Sequence, residues 1–211
     1  MRVQLTMNED VKQHYQKLYE THGRDHNAVQ YSSKDSQFAR FEILLDVADE
    51  ISSVADMGCG LGDLLPLLRQ RHPHASYQGY DFVDGFVSDA SVRFSNDDNA
   101  SFHHFDVMKD DIKQGADYVV LSGMLNNLMT DNAYFTEVTL NKMWQAANKG
   151  IAFNALSHYV DYQDEGLYYQ DPLKLFDYCK RHFSKYVALR HDYDVKENSI
   201  PFEFTIYVYK K

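Results

Sequence analysis

The sequence predicts an α/β fold: a seven-stranded, mostly parallel sheet with helices on both faces, one antiparallel strand near the C-terminus and a helical cap at the N-terminus. Three observations carry this. From Ser53 onward, short apolar runs alternate with helix-patterned segments, which implies parallel strands joined by crossover helices. A glycine-rich turn stands at the first strand-to-helix junction. The chain closes on two alternating strands joined by a short polar loop, a hairpin that requires one strand to run against the rest.

The cap comes first. Residues 8–23 read as a polar amphipathic helix with Val11, Tyr15, Leu18 and Tyr19 at helical spacing. Residues 24–32 carry no period and read as a loop. Ser32 is placed to cap a second helix, with Asp35 three residues on and an apolar stripe of Phe38, Phe41, Leu44, Leu45 and Ala48. Residues 1–50 are therefore assigned to the cap and 51–211 to one compact unit.

In that unit "SVADM" is strand one, "GCGLGD" the glycine turn, and "LLPLLRQRH" a helix with Pro66 in its first turn, where proline is tolerated. "ASYQGYD" is strand two, "FVDGFVSDASVRF" a weak helix and "SFHHFD" strand three. "ADYVVLSG" reads as a doubly covered strand four. Asp131 caps the helix 131–148, and "GIAFNALS" is strand five. A tyrosine-rich connection leads to a helix opened by Pro172, and "KYVALRHDY" and "PFEFTIYVYK" form the hairpin.

Composition bounds the partners. Of 211 residues, 44% are apolar and 14% aromatic, enough for a full core. Lys plus Arg number 21 against 31 Asp plus Glu, a formal charge of −10. An acidic chain repels phosphate backbones, so nucleic acid is not expected as a partner. Two cysteines, Cys59 and Cys179, make no disulfide framework. The N-terminal segment lacks the apolar core of a signal peptide, and no run is long enough to span a bilayer. A cytoplasmic protein with no membrane contact is expected. Without an HExxH or CxxC motif, no metal is expected either.

The chemistry gathers at Asp56-Met57-Gly58-Cys59-Gly60-Leu61-Gly62-Asp63. Glycines there let backbone approach a ligand closely, in the place where a Rossmann-like sheet binds its ligands. A dinucleotide site would read GxGxxG, with pyrophosphate at the helix start. Here the sixth position is Asp63, which would oppose a pyrophosphate. S-adenosylmethionine has no phosphate, and its sulfonium and amino group suit Asp56 and Asp63. Asp81 ends strand two, 25 residues after Asp56, and Asp106 ends strand three after 25 more. Asp81 can accept both ribose hydroxyls and Asp106 the adenine amino group, while Phe82 and Val107 pack on the adenine. Cys59 reads as a small filler.

On these residues, over roughly 35–211, the chain resembles the class I S-adenosylmethionine-dependent methyltransferases. "SGMLNN", "FNALSHYVD" and "RHDY…EFTIYVY" resemble more closely a bacterial small-molecule group, the trans-aconitate methyltransferase-like enzymes. The resemblance implies S-adenosylmethionine as methyl donor, S-adenosylhomocysteine as product and in-line displacement at the sulfonium methyl. It also implies that Ser122, Gly123 and Asn126 face the methyl group. The Asn/Asp-Pro-Pro-Tyr/Phe segment of base-amino methylation is absent after strand four. A small-molecule acceptor is therefore expected; the alternatives are a protein or RNA methyltransferase, or a non-catalytic S-adenosylmethionine-binding domain. Acceptor contacts are expected from Tyr31, Arg40, Asn126, Asn154, Tyr159 and Tyr168. Tyr159, Tyr162, Tyr168 and Tyr169 would form a lid over 157–170. His158 and His191 are the candidates for a base.

Overall fold

The computed structural model describes the backbone of residues 2–211 and the side chains of residues 10–211. Helix α1 (Arg2–His22) and a 3-10 turn (His26–Val29) lead to α2 (Lys34–Leu45). Then follow β1 (Ser53–Met57), α3 (Leu64–Arg71), β2 (Ser76–Asp81), α4 (Asp84–Arg93) and β3 (Ala100–His104). The second half comprises β4 (Ala116–Leu121), α5 (Asn132–Ala146), β5 (Ala147–Leu156), α6 (Pro172–His182), β6 (Val187–Arg190) and β7 (Glu203–Tyr209).

The sheet order is β3-β2-β1-β4-β5-β7-β6. Strands β1 to β6 run in one direction, and β7 pairs antiparallel with both β5 and β6. The expected α/β architecture, with its single reversed strand, is thus what forms. Period-2 alternation divides the apolar residues between two cores. Ala55, Met57, Val119, Leu121, Ile151 and Phe153 face α5 and α6. Val54, Tyr118, Val120 and Ala152 face α2 and α3. Order reverses between β1 and β4, so the crevice for a ligand opens at the carboxyl ends of those two strands.

Several boundaries differ from expectation. Ser33, not Ser32, caps α2: its hydroxyl accepts from the Ser36 N–H at 3.1 Å. This helix ends at Leu45, so Ala48 falls outside its stripe, and Phe38 is left 36% exposed. The segment 24–32 contains the 3-10 turn, opened by Asp25, whose carboxylate accepts from the Asn27 N–H. β3 stops at His104, two residues short of Asp106. Helix α5 passes straight into β5 at Ala147 without a loop.

A third, small core joins the cap to the sheet. Ala28, Leu61, Val83 and Phe86 are buried together, with Tyr15, Tyr19, Val29 and Phe82 packed around them. Asp89 of α4 closes this contact, accepting from Tyr19 Oη at 2.8 Å and from Arg24 at 3.0 and 2.8 Å. The cap therefore lies over the glycine turn.

Candidate active site

Gly58, Gly60 and Gly62 have φ of 73°, 52° and 74°, a left-handed region that costs other residues dearly. The turn they form is tied to β2. Gly58 and Cys59 donate their N–H groups to the Tyr80 carbonyl, and Gly60 N–H donates to Asp81 Oδ2 at 2.9 Å. Asp81 Oδ1 accepts from Val83 N–H, also at 2.9 Å. Each carboxylate oxygen has capacity for a second hydrogen bond. Burial pushes the Asp81 carboxyl up to about 6, while the Val83, Gly60 and Phe82 N–H groups pull the other way.

Asp56, at the fourth position of β1, is buried and accepts from Tyr77 Oη at 2.7 Å. Burial pushes it up to about 7, against the Tyr77 hydrogen bond and with help from the neighbouring Asp81. Asp106 is buried as well, its Oδ1 accepting from Met108 N–H and its Oδ2 paired with Lys109 at 2.9 Å.

A cavity of about 680 Å³ opens over these groups. It runs from the glycine turn, under the cap, past the turn after β4 to the connection after β5 and the loop between β6 and β7. Asp56, Gly58, Cys59, Gly60, Asp81, Phe82, Asp106, Val107 and Ser122 all line it. Asp63 does not. Its carboxylate turns to Arg93 at 2.5 Å, with Gln37 at 3.4 Å, because α4 brings that guanidinium alongside the turn. The Cys59 thiol is pushed well up by burial, which keeps it a thiol.

Beyond Ser122 the cavity changes partners. Ser122 Oγ accepts from Asn154 Nδ2 at 3.1 Å and shares a 2.9 Å hydrogen bond with Tyr31 Oη. Asn154 Oδ1 in turn accepts from Gly123 N–H, and Asn126 Oδ1 from Leu156 N–H. Asn154 is buried behind the turn, whereas Tyr31 and Asn126 face the cavity. Burial drives the Tyr31 phenol up, so it stays protonated.

Arg40 reaches the cavity wall, but its guanidinium is committed: it clamps both oxygens of Glu203 at 2.6 to 2.9 Å and donates to Ser36. It is a buried structural pair rather than an open anion contact. His158 and His191 stand outside the cavity lining, packed against Tyr159, and His191 Nε2 is held by the Pro201 carbonyl. Tyr159 and Tyr168 also miss the lining, whereas Tyr162 and Tyr169 are part of it. The connection is pinned in place: Tyr168 N–H donates to the Asn126 carbonyl and Leu128 N–H to the Gly166 carbonyl.

Contributors missed by the sequence reading include Tyr15, Val29, Phe86, Met129 and Phe202. The helical stripe that holds Tyr15 was visible; what it covers was not. Among the described residues no group of three or more His, Cys, Asp or Glu could hold a metal ion. No described helix is long and apolar enough to cross a membrane.

Residues 55–150 match the family described as a methyltransferase domain. Over 173 residues the chain is 39% identical to "Putative methyltransferase Rv1506c" of Mycobacterium tuberculosis, covering 79% of this chain and 98% of that protein. Among solved structures, a DhpI–SAH complex superposes with a TM-score of 0.69 at 14% identity, covering 95% of each chain. Magnesium protoporphyrin IX methyltransferase from Synechocystis PCC 6803, with bound SAH, gives a TM-score of 0.63 at 14% identity, over 97% of this chain and 96% of that one. At that identity the likeness is one of fold.

Proposed function

This chain belongs to the methyltransferase family, and from that premise we propose that it moves a methyl group from S-adenosylmethionine to a small-molecule acceptor, leaving S-adenosylhomocysteine. One observation carries the reading. Asp81 is buried at the end of β2, is held by two backbone N–H groups, and lines the cavity beside a glycine turn in left-handed conformation.

The residues present fit such a donor. Asp81 retains acceptor capacity for two hydroxyls. Phe82, Phe86 and Val107 supply apolar walls for an adenine, with Asp106 beside them. Asp56 and Asp81 put carboxylates, not cations, around the turn, which suits a cationic donor and opposes a pyrophosphate. The donor arrives with its methyl on a sulfonium, so the protein has to supply alignment and a dry pocket rather than activation.

Alignment falls to the turn after β4, where Ser122 and Gly123 are locked by Asn154. Tyr31, kept protonated by burial, is a hydrogen-bond donor or acceptor toward the acceptor group rather than a base. Among the described residues lining the cavity there is no histidine. The reaction thus calls for an acceptor atom that needs no imidazole base. The formal charge of −10 supports a small molecule over nucleic acid. Both cysteines are buried and unpaired, in keeping with a cytoplasmic location. The subgroup resemblance of residues 122–127 and 153–161 leads us to set the protein near the trans-aconitate methyltransferase-like enzymes, without their acceptor.

Calorimetry tests the donor. S-adenosylhomocysteine should bind with low-micromolar affinity, about −7 to −8 kcal/mol, and NAD far more weakly; NAD binding the tighter of the two would overturn the assignment. Methyl-labelled donor incubated with a metabolite extract, read by mass spectrometry, would identify the acceptor.

A further inference from the structure

We propose that the methyl acceptor carries an apolar body, acyl or aryl in kind, long enough that its outer end lies against Tyr162 and Ile200 at the cavity rim. This rests on the reading above, which assigns the glycine-turn half of the cavity to the donor.

Outside the residues assigned to the donor, the lining is rich in apolar side chains, and its buried charges among the described residues are the paired Arg40 and Glu203. That lining includes the apolar side chains of Met129, Phe135, Leu156 and Phe202. Arg40 is the one deep cation among the described lining residues, and Glu203 neutralises it. The remaining charges, Asp161, Asp164 and Lys196, are on exposed residues, and the Lys196 ammonium lies over the Phe202 ring at 5.6 Å. A compact polyanion would lose its water there without meeting an unpaired buried cation among the described lining residues.

The rim points the same way. Tyr162 is 74% exposed and Ile200 51%, yet both line the cavity. Large apolar side chains left in water at the mouth of an apolar pocket mark where an apolar ligand would cover them. Charges at the rim leave room for a polar outer end in solvent, so the acceptor is amphipathic with its apolar part inward.

The test uses the full chain, first titrated with S-adenosylhomocysteine and then, saturated with it, titrated by calorimetry with straight-chain 1-alkanols from butanol to decanol. Citrate serves as a compact polyanion. Affinity should rise about fourfold per methylene for the shorter alcohols. The gain per methylene should fall off once the chain reaches the rim, and citrate should not bind. Ile200→Asp and Tyr162→Asp should each weaken decanol at least fivefold while changing butanol and S-adenosylhomocysteine less than twofold. Affinity independent of chain length, or citrate tighter than decanol, with S-adenosylhomocysteine bound normally, would overturn the proposal. Failure of S-adenosylhomocysteine itself to bind would overturn the functional reading instead.

Discussion

The Gly60 N–H donates to Asp81 Oδ2 at 2.9 Å, so the glycine turn after β1 and the carboxyl end of β2 are one unit. Asp81 thus has two tasks, holding the turn and offering its remaining acceptor capacity to the cavity. A substitution that deletes its side chain would disturb both.

Asp81→Asn removes the charge with the least change of shape. Its amide oxygen can still accept one of the two backbone N–H groups, while the other loses its partner and half the acceptor capacity goes. S-adenosylhomocysteine affinity should fall by about 1.5–3 kcal/mol, the value of hydrogen bonds to a charged group, with the circular dichroism spectrum unchanged. Asp81→Ala should lose more and also lower Tm. Equal affinities for wild type and the Asn variant would show that Asp81 only secures the turn.

Protonation gives a second expectation. The Asp81 carboxyl of the ligand-free protein is raised to about 6, and ribose hydroxyls donate only to its acceptor form. Donor affinity should therefore be flat above pH 7 and decline as pH falls through about 6. Calorimetry near pH 6 in buffers of different ionisation heat should register proton release on binding, and a pH-independent affinity from 5 to 8 would contradict this.

The same shifts have a stability consequence of opposite sign. An acid whose folded pKa exceeds its unfolded value of about 3.9 holds protons more tightly when folded. The contribution of Asp56 and Asp81 is thus fully present below about pH 4 and is lost as pH rises through about 6 to 7. Asp56→Asn, which keeps an oxygen for Tyr77, should raise the Tm of the ligand-free protein at pH 8 by several degrees. At pH 5 it should change it little.

At Gly60, a Cβ would meet Val29 Cγ1 at 2.8 Å, and φ is already 52°. Gly60→Ala should cost about 1–2 kcal/mol for the left-handed backbone alone. It should also lift the cap, weakening S-adenosylhomocysteine at least tenfold. Adding Val29→Ala should restore part of the affinity by removing the clash, though not the backbone cost. Strictly additive effects in this double-mutant cycle would show that the cap does not press on the turn.

Arg40 and Glu203 offer a fifth comparison. Breaking a buried ion pair by removing one partner costs about 3–5 kcal/mol, whereas replacing both with apolar residues of similar volume is often near neutral. In urea denaturation, Arg40→Met and Glu203→Leu should each destabilise strongly, and the double variant should be more stable than either single one. If Arg40 instead serves chiefly to bind the acceptor, Arg40→Met would leave stability intact.

The sheet, its helices and the glycine turn were legible because their signals are local. Alternation within five or six residues assigns each strand's faces, glycines at 58, 60 and 62 announce a left-handed turn, and Asp131 and Pro172 mark helix starts. Spacing brought Asp56, Asp81 and Asp106 together at one edge of the parallel sheet, Asp106 from two residues beyond the end of β3. What the tertiary structure decided is which side chains turn inward from segments without a period. Tyr162 and Tyr169 face the cavity while Tyr159 and Tyr168 do not, in a connection fastened to the turn after β4 at Gly166 and Tyr168. His158 and His191 are drawn to Tyr159 instead of the cavity. Arg40 meets Glu203 across 163 positions of chain, and Asp63 meets Arg93 across 30. No local pattern encodes those pairings; they exist only once the cap and α4 have packed, and they turn two expected ligand contacts into structural ones.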